Sequence, residues 1–253
     1  MLELKNISKT FKKDLLKEKF YALKNVSFKI NQGELVGFLG ANGAGKTTTL
    51  KIILGFIDSD EGEIIYPYGD KSQFLKHLGY LPERPYFYPE LTGREFVHFM
   101  ARLSEVEKDR AQKNLDKWSE RLKIRHALDQ KLREYSKGML QRIGMVCTLI
   151  HDPDFLIMDE PVSGLDPVGR KEIKDVILEL GKLGKTVFFS SHIVSDIEEV
   201  CEKVVVLEKG ELFYEGEIES LMRKSGGQTV RFKIQMDENL DFKTPLKKII
   251  SLS

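Results

Sequence analysis

Apolar residues along this chain recur at two spacings, and the switch between them lays out the elements. In the opening segment Leu2, Leu4 and Ile7 fall to one side. After a polar stretch at residues 12–19, Tyr21-Ala22-Leu23-Lys24-Asn25-Val26-Ser27-Phe28-Lys29-Ile30 alternates again. Alternation on both flanks predicts two antiparallel strands joined by a long charged turn. Gly33 breaks the second strand, and the apolar run at 34–39 predicts a buried strand of its own. Residues 47–54 then carry Leu50, Ile53 and Leu54 at helical spacing. A turn cluster at 58–62, a short strand at 63–66 and a strand ending in Gly79-Tyr80-Leu81-Pro82-Glu83 follow.

Over residues 84–150 the period becomes helical. Thr92-Gly93-Arg94-Glu95 fits a capping box, and Phe96, Phe99, Met100 and Leu103 follow at i, i+3, i+4 and i+7. A second helix is predicted at 107–122, with Leu115, Trp118 and Leu122 on its core face. A third begins after Ser136, a good N-cap, and runs through Met139, Ile143, Val146 and Ile150. Residues 154–159 then form a continuous apolar run, as in a strand covered on both faces. A helix at 168–183, a strand at 186–190, a helix at 194–201, a strand at 203–207 and a turn at Gly210 into 211–216 complete the series. Strands alternating with helices predict an α/β fold with a doubly wound, mostly parallel sheet, interrupted by a helical insertion. Ser225-Gly226-Gly227 reads as a linker. Beyond it Val230, Phe232 and Ile234 alternate with polar neighbours, as in a strand of a small appendage expected to be incomplete.

Composition narrows the class. With 253 residues, 41% hydrophobic and 31% charged, the chain can bury a sizeable core as one large domain or two modest ones. No apolar run approaches the roughly 18 residues of a membrane span, and Met1-Leu2-Glu3-Leu4-Lys5 lacks a signal-peptide layout, so a cytoplasmic protein is expected. Cys147 and Cys201 stand far apart in no metal-ligand pattern and are read as reduced, structural thiols. A net charge of +1 gives no electrostatic case for nucleic acid. The lysines between Lys9 and Lys24 are read as part of a solvated hairpin.

The candidate chemistry starts at Gly40-Ala41-Asn42-Gly43-Ala44-Gly45-Lys46-Thr47, a full G-x-x-x-x-G-K-[ST] match between predicted strand and predicted helix. Glycines let the backbone turn its N–H groups onto a phosphate, and the new helix points its positive end to the same place. Lys46 would reach β- and γ-phosphates, and the Thr47 hydroxyl would hold Mg²⁺. Hydrolysis further needs a metal carboxylate and a group to position water. Asp159, at the end of an apolar strand, suits the first role and Glu160 the second.

With these motifs in order, the chain resembles the nucleotide-binding subunits of ATP-binding cassette (ABC) transporters over residues 2–218. Tyr135-Ser136-Lys137-Gly138-Met139 lies where that family has its L-S-G-G-Q signature, Ser163-Gly164-Leu165-Asp166 resembles its D-loop, and Ser191-His192 its switch histidine. The resemblance implies a P-loop nucleoside-triphosphatase core (residues 1–83 and 151–222) with an N-terminal antiparallel β-subdomain. It also implies an inserted helical and signature subdomain (84–150) and an appendage (223–253). It implies an ATPase subunit, peripheral on the inner face of the membrane, that serves a transmembrane permease. Two copies, or a pair of similar subunits, would stack head to tail. The loop with Thr48 would then hold ATP against Ser136 and Gly138 of the other subunit, with Asp166 linking the two sites and His192 near the γ-phosphate.

Four positions depart from the family pattern. Glu83 stands where glutamine is usual, a carboxylate that would ligate Mg²⁺ or its water. Tyr135, Lys137 and Met139 replace leucine, glycine and glutamine in the signature. That form, with Glu83, is similar to the ABC-2 type of export system. Phe11 is the best match to the aromatic on which adenine stacks, with Phe20 and Tyr21 as competitors. Pro85-Tyr86-Phe87-Tyr88-Pro89 reads either as an apolar wall for the membrane subunit or as a buried loop anchor. Read without the family, Ser136 is an N-cap. Two other functions stay open: a soluble ABC-type ATPase acting on nucleic acid or ribosomes, and a dimerisation module that binds nucleotide without turnover.

Overall fold

A computed structural model describes residues 1–12 and 19–224. The expected charged turn falls largely on residues 13–18, and the expected linker and appendage on 225–253, so both lie outside the described residues. In chain order the elements are β1 (Leu2–Lys12), β2 (Lys19–Ile30), β3 (Leu35–Leu39), α1 (Lys46–Leu54), β4 (Glu61–Ile65), α2 (Lys71–Lys76), β5 (Leu78–Leu81), α3 (Gly93–Leu103) and α4 (Lys108–Arg121). They continue with α5 (Lys137–Leu149), β6 (Phe155–Met158), α6 (Pro167–Lys182), β7 (Thr186–Ser191), α7 (Val194–Glu198), β8 (Lys203–Glu208), β9 (Glu211–Glu217) and α8 (Ile218–Lys224). The chain forms two compact units. Among the described residues, one comprises Met1–Glu3, Lys29–Glu34 and Ile65–Ser190, the other those within Leu4–Phe28, Leu35–Ile64 and from Ser191 on.

In the first unit β5, β6 and β7 are parallel, with Leu81 beside Met158 and Met158 beside Phe189. All four residues of β6 are buried, which explains its unbroken apolar sequence: both faces are covered. The helical segment α3–α5 belongs to this unit. Its first helix begins with the expected capping box, in which Thr92 Oγ1 accepts from Glu95 N at 3.2 Å and Thr92 N donates to Glu95 Oε2 at 2.8 Å. The buried stripe of α3 is Gly93, Phe96, Val97 and Ala101, so of the predicted stripe only Phe96 is fully buried, while Phe99 and Met100 are half-buried and Leu103 is 63% exposed. On α4 the predicted face holds: Leu115, Trp118 and Leu122 are core residues.

In the second unit β1 lies between β2 and β4. Asn6 N donates to Ser27 Oγ at 2.8 Å and Asn25 N to Ser8 Oγ at 3.1 Å, a pairing that descends along one strand as it climbs the other and is therefore antiparallel. β3 runs parallel to β8, and β8 antiparallel to β9. Val36, Phe38, Val204, Val205 and Val206 are buried, and the Phe28 and Phe38 rings pack at 5.8 Å.

Three elements differ from expectation, one of them α8, which lies beyond the last predicted segment at 211–216. The short α2 was not foreseen: with Phe74 its single buried residue, six residues leave no periodic signal, and its start depends on Asp70 accepting from Gln73 N at 2.9 Å. The helix predicted at 194–201 stops at Glu198, although Val200 and Cys201 are still buried. Both cysteines are free and buried, and burial pushes both thiols well above their ordinary range. Among the described residues no helix is long and apolar enough to cross a membrane.

Candidate nucleotide site

The phosphate loop sits in the second unit between β3 and α1. Its geometry is made by backbone: Gly45 caps α1 at φ 106°, with no side-chain cap. A Cβ on Gly45 would stand 2.7 Å from both Ala22 O and Leu23 Cδ2, so glycine is required by conformation and by space. Ala44 N donates to Ala41 O at 3.0 Å, and Gly210 N to Ala44 O at 3.0 Å, which pins the loop to the β8–β9 turn. Lys46 is 6% exposed and folds back so that Nζ donates to Gly40 O at 2.7 Å and Ala41 O at 3.4 Å. Its ammonium therefore already lies over the loop. Asn42, Gly43 and Thr47 are exposed at the mouth. The first turn of α1 contains no acidic residue, so nothing there offsets the positive end of the helix dipole. An anion is the natural occupant.

In the same unit His192 is exposed, directly after β7 and ahead of α7. Phe11 is half-buried at the end of β1, with its ring 5.8 Å from that of Phe20 and Lys9 Nζ 5.8 Å from its centroid. The structure thus pairs two of the three aromatic candidates, while Tyr21 stands 57% exposed. Asp60 accepts from Lys9 Nζ (2.7 Å), Thr10 N (2.7 Å) and Thr10 Oγ1 (2.6 Å), and these bonds hold its carboxyl far below the usual range.

The carboxylate corner belongs to the first unit. Asp159 and Glu160 follow β6 and are 3% and 8% exposed. Glu160 adopts φ 49°, a left-handed conformation that costs a non-glycine residue about 1–3 kcal/mol. Ser190, which neither motif nor spacing singled out, holds the corner. Its Oγ accepts from Glu160 N at 2.8 Å and donates to Asp159 Oδ1 at 2.6 Å. Asp159 N donates to Leu81 O at 2.8 Å, and Gln141 Nε2 donates to Pro161 O at 2.9 Å. Burial, then the Asp159 charge, pushes the Tyr80 phenol up to about 12. The one sequence trace of Ser190 is a pair of hydroxyls, Ser190-Ser191, directly after the apolar Val187-Phe188-Phe189 of β7.

The signature residues also lie in the first unit. Ser136 caps α5 and accepts from Met139 N at 3.3 Å. Tyr135 is a core anchor, donating to Ala127 O at 2.6 Å, and burial raises its phenol to about 12. Beside Gly138 there is room, since a Cβ would meet only Leu165 Cδ2 at 3.6 Å and Ser136 Oγ at 4.0 Å. Lys137 lies against Gly164, where a Cβ would fall 2.6 Å from Lys137 Cε. Asp166 caps α6, accepting from Gly169 N at 3.0 Å. Glu83 is exposed, its carboxylate 4.0 Å from Arg84 Nε.

A loop of this kind opening a helix after a buried parallel strand, in a chain that also ends another such strand in adjacent carboxylates, defines a P-loop nucleoside triphosphatase. Residues 23–163 match the ABC transporter family. The chain is 40% identical over 246 residues to the ABC transporter ATP-binding protein sll0415 of Synechocystis, covering 95% of this chain and 69% of that protein. It is 41% identical over 220 residues to YxlF of Bacillus subtilis, covering 87% and 73%. It superposes on an ATP-binding subunit of an ABC transporter with a TM-score of 0.79 at 29% identity, covering 89% of this chain and 93% of that one. For the dimeric post-hydrolysis state of the cassette MJ0796 bound to ADP and Pi the TM-score is 0.77 at 26% identity, with coverage of 86% and 99%. The chain belongs to the ATP-binding subunits of ABC transporters and is an ATPase of that family.

The candidate metal donors are oxygen atoms only, and a carboxylate as buried as Asp159, with one oxygen already hydrogen-bonded, suits a small hard cation such as Mg²⁺.

Proposed function

We propose that the chain binds and hydrolyses ATP as the peripheral cytoplasmic subunit of a membrane exporter of the ABC-2 type. The observation that carries hydrolysis is the buried carboxylate corner, in which Glu160, left-handed at φ 49°, directly follows Asp159. In this reading the loop from Gly40 to Thr48 cradles the triphosphate, Lys46 releases its carbonyl partners for β- and γ-phosphate oxygens, and Phe11 stacks on adenine. Thr47, Asp159 and Glu83 would hold Mg²⁺, which supplies charge neutralisation on the phosphates. Glu160 takes a proton from the water that attacks the γ-phosphorus, the bond to the ADP oxygen breaks, and His192 hydrogen-bonds the γ-phosphate.

The other half of the site would come from a second subunit. Ser136 and Gly138 stand at the N-terminus of α5 with open space beside Gly138, so hydroxyl, N–H groups and helix dipole can face a phosphate offered by a partner. The cassette MJ0796, dimeric in a post-hydrolysis state bound to ADP and Pi, supports the pairing of two subunits. Tyr135, Lys137, Met139 and Glu83 support the export branch. Tyr86, 81% exposed, heads an aromatic ladder through Tyr88 to Phe99, which supports a groove for a permease helix.

The test is Glu160→Gln. Steady-state phosphate release should fall about 100- to 10,000-fold while ATP binding persists and a closed dimer accumulates on sizing columns. Turnover at the wild-type rate removes Glu160 from the base role. No turnover in the wild type favours a nucleotide-gated dimerisation module, a reading motivated by Lys137 and Glu83.

A further inference from the structure

We propose that Ser190 is the positioning residue of the hydrolytic corner: one buried hydroxyl orients the Asp159 carboxylate and holds Glu160 in its left-handed turn. The inference rests on the ATPase reading above. Strand register brings the groups together. Met158 lies beside Phe189 in the parallel β6–β7 pair, so the next residues, Asp159 and Ser190, are neighbours. The side chain of Ser190 is closed to solvent, so it meets these partners with no competition from bulk water.

The polarity of the two hydrogen bonds is forced. The Glu160 amide can only donate, so Ser190 Oγ is its acceptor at 2.8 Å. The single hydroxyl proton is then committed to Asp159 Oδ1 at 2.6 Å, the length of a charge-assisted O–H···O⁻ bond. That bond fixes the carboxylate plane. The amide bond fixes the peptide that leads into Glu160, the residue at φ 49°. A hydroxyl has the one acceptor site and one donor proton needed for both tasks, an alanine has neither, and a thiol performs each weakly. Both carboxylates are thereby placed by a residue 31 positions away in sequence from Asp159.

The experiment uses the full chain as wild type, Ser190→Ala, Ser190→Thr and Ser190→Cys. Mn²⁺ binding to the ATP-loaded protein is followed by electron paramagnetic resonance, ATP binding in EDTA by a fluorescent analogue, and turnover by phosphate release. Ser190→Ala should weaken Mn²⁺ binding and lower kcat, each about 10- to 100-fold, with metal-free nucleotide affinity unchanged. Ser190→Thr, which keeps the hydroxyl, should restore both. Wild-type Mn²⁺ affinity in Ser190→Ala, or equal losses in the alanine and threonine variants, overturns the proposal. If Ser190→Ala does not fold, Ser190→Cys decides, and wild-type Mn²⁺ affinity there is equally fatal. A wild-type chain that neither binds Mn²⁺ with ATP nor releases phosphate refutes the ATPase reading and this inference with it. Wild-type activity with an indifferent Ser190→Ala refutes this inference alone.

Discussion

Two helix starts in this molecule are proposed to meet phosphate, and they are built in opposite ways. At α1 the cap is Gly45, left-handed and without a side-chain bond, and the lysine beside it is buried against loop carbonyls. At α5 the cap is a side chain: Ser136 closes the helix on Met139 N through a long bond of 3.3 Å, and the lysine next to it lies on Gly164. The first start is assembled by its own backbone and would need little rearrangement to receive an anion. The second is already capped, so a phosphate from another subunit would compete for a hydroxyl that stabilises the isolated fold. That difference suits a cradle that is always ready and a lid that closes only when ligand and partner arrive together.

The comparison breaks most visibly at the first lysine. Lys46→Ala should weaken ATP binding at least about 100-fold by equilibrium fluorescence, because a buried ammonium over the loop is lost. Unchanged affinity would remove the loop as the nucleotide cradle. At the second start, Ser136→Asp separates capping from phosphate contact. Aspartate caps as well as serine and suits the helix dipole, so the melting temperature should hold, while its charge should repel the partner's phosphate and cut turnover about 100-fold. Turnover at the wild-type rate would leave Ser136 with its cap role alone.

A smaller effect is expected from Gly164→Ala. It combines φ 69° with the Lys137 side chain in the space a Cβ needs, and should cost about 1–2 kcal/mol in denaturant unfolding. Lys137→Ala in the same chain should recover the steric part, a coupling that simple addition of the two single changes would exclude. The smallest effect is a pH dependence. Burial lowers the pKa of His151 from its ordinary 6.5, and its Nδ1 is buried without a hydrogen-bond partner. The unfolded chain therefore binds a proton that the folded chain resists, so the contribution of His151 is present above pH 6.5 and lost as pH falls below it. Melting temperatures from pH 7.5 to 5.5 should fall less steeply in His151→Gln.

Most elements were legible because their signals are local. The capping box at Thr92, the unbroken apolar β6 and the spacing on α4 each express one periodicity with one boundary. Where the reading failed, the deciding contact was short or distant. α2 has one apolar anchor and no repeat, and Leu103 continues the helical pattern of α3 past the point where the core ends. Tyr135 reads as a departure from the family's leucine, and the structure adds what spacing cannot reveal, that its hydroxyl donates to Ala127 O in the core.

Local motifs name the candidate chemistry-bearing residues and their order: the glycine loop with Lys46 and Thr47, the Asp159-Glu160 pair, Ser136 and His192. These motifs are legible because phosphate binding and helix capping act over a few consecutive residues. The folded chain alone shows that Glu160 is left-handed, that Ser190 bonds to both it and Asp159, that Asp166 caps α6, and that Lys137 rests on Gly164. Each depends on strand register or on packing between segments distant in sequence, and a periodicity of two or 3.6 residues carries no record of which distant residue will arrive at a given place.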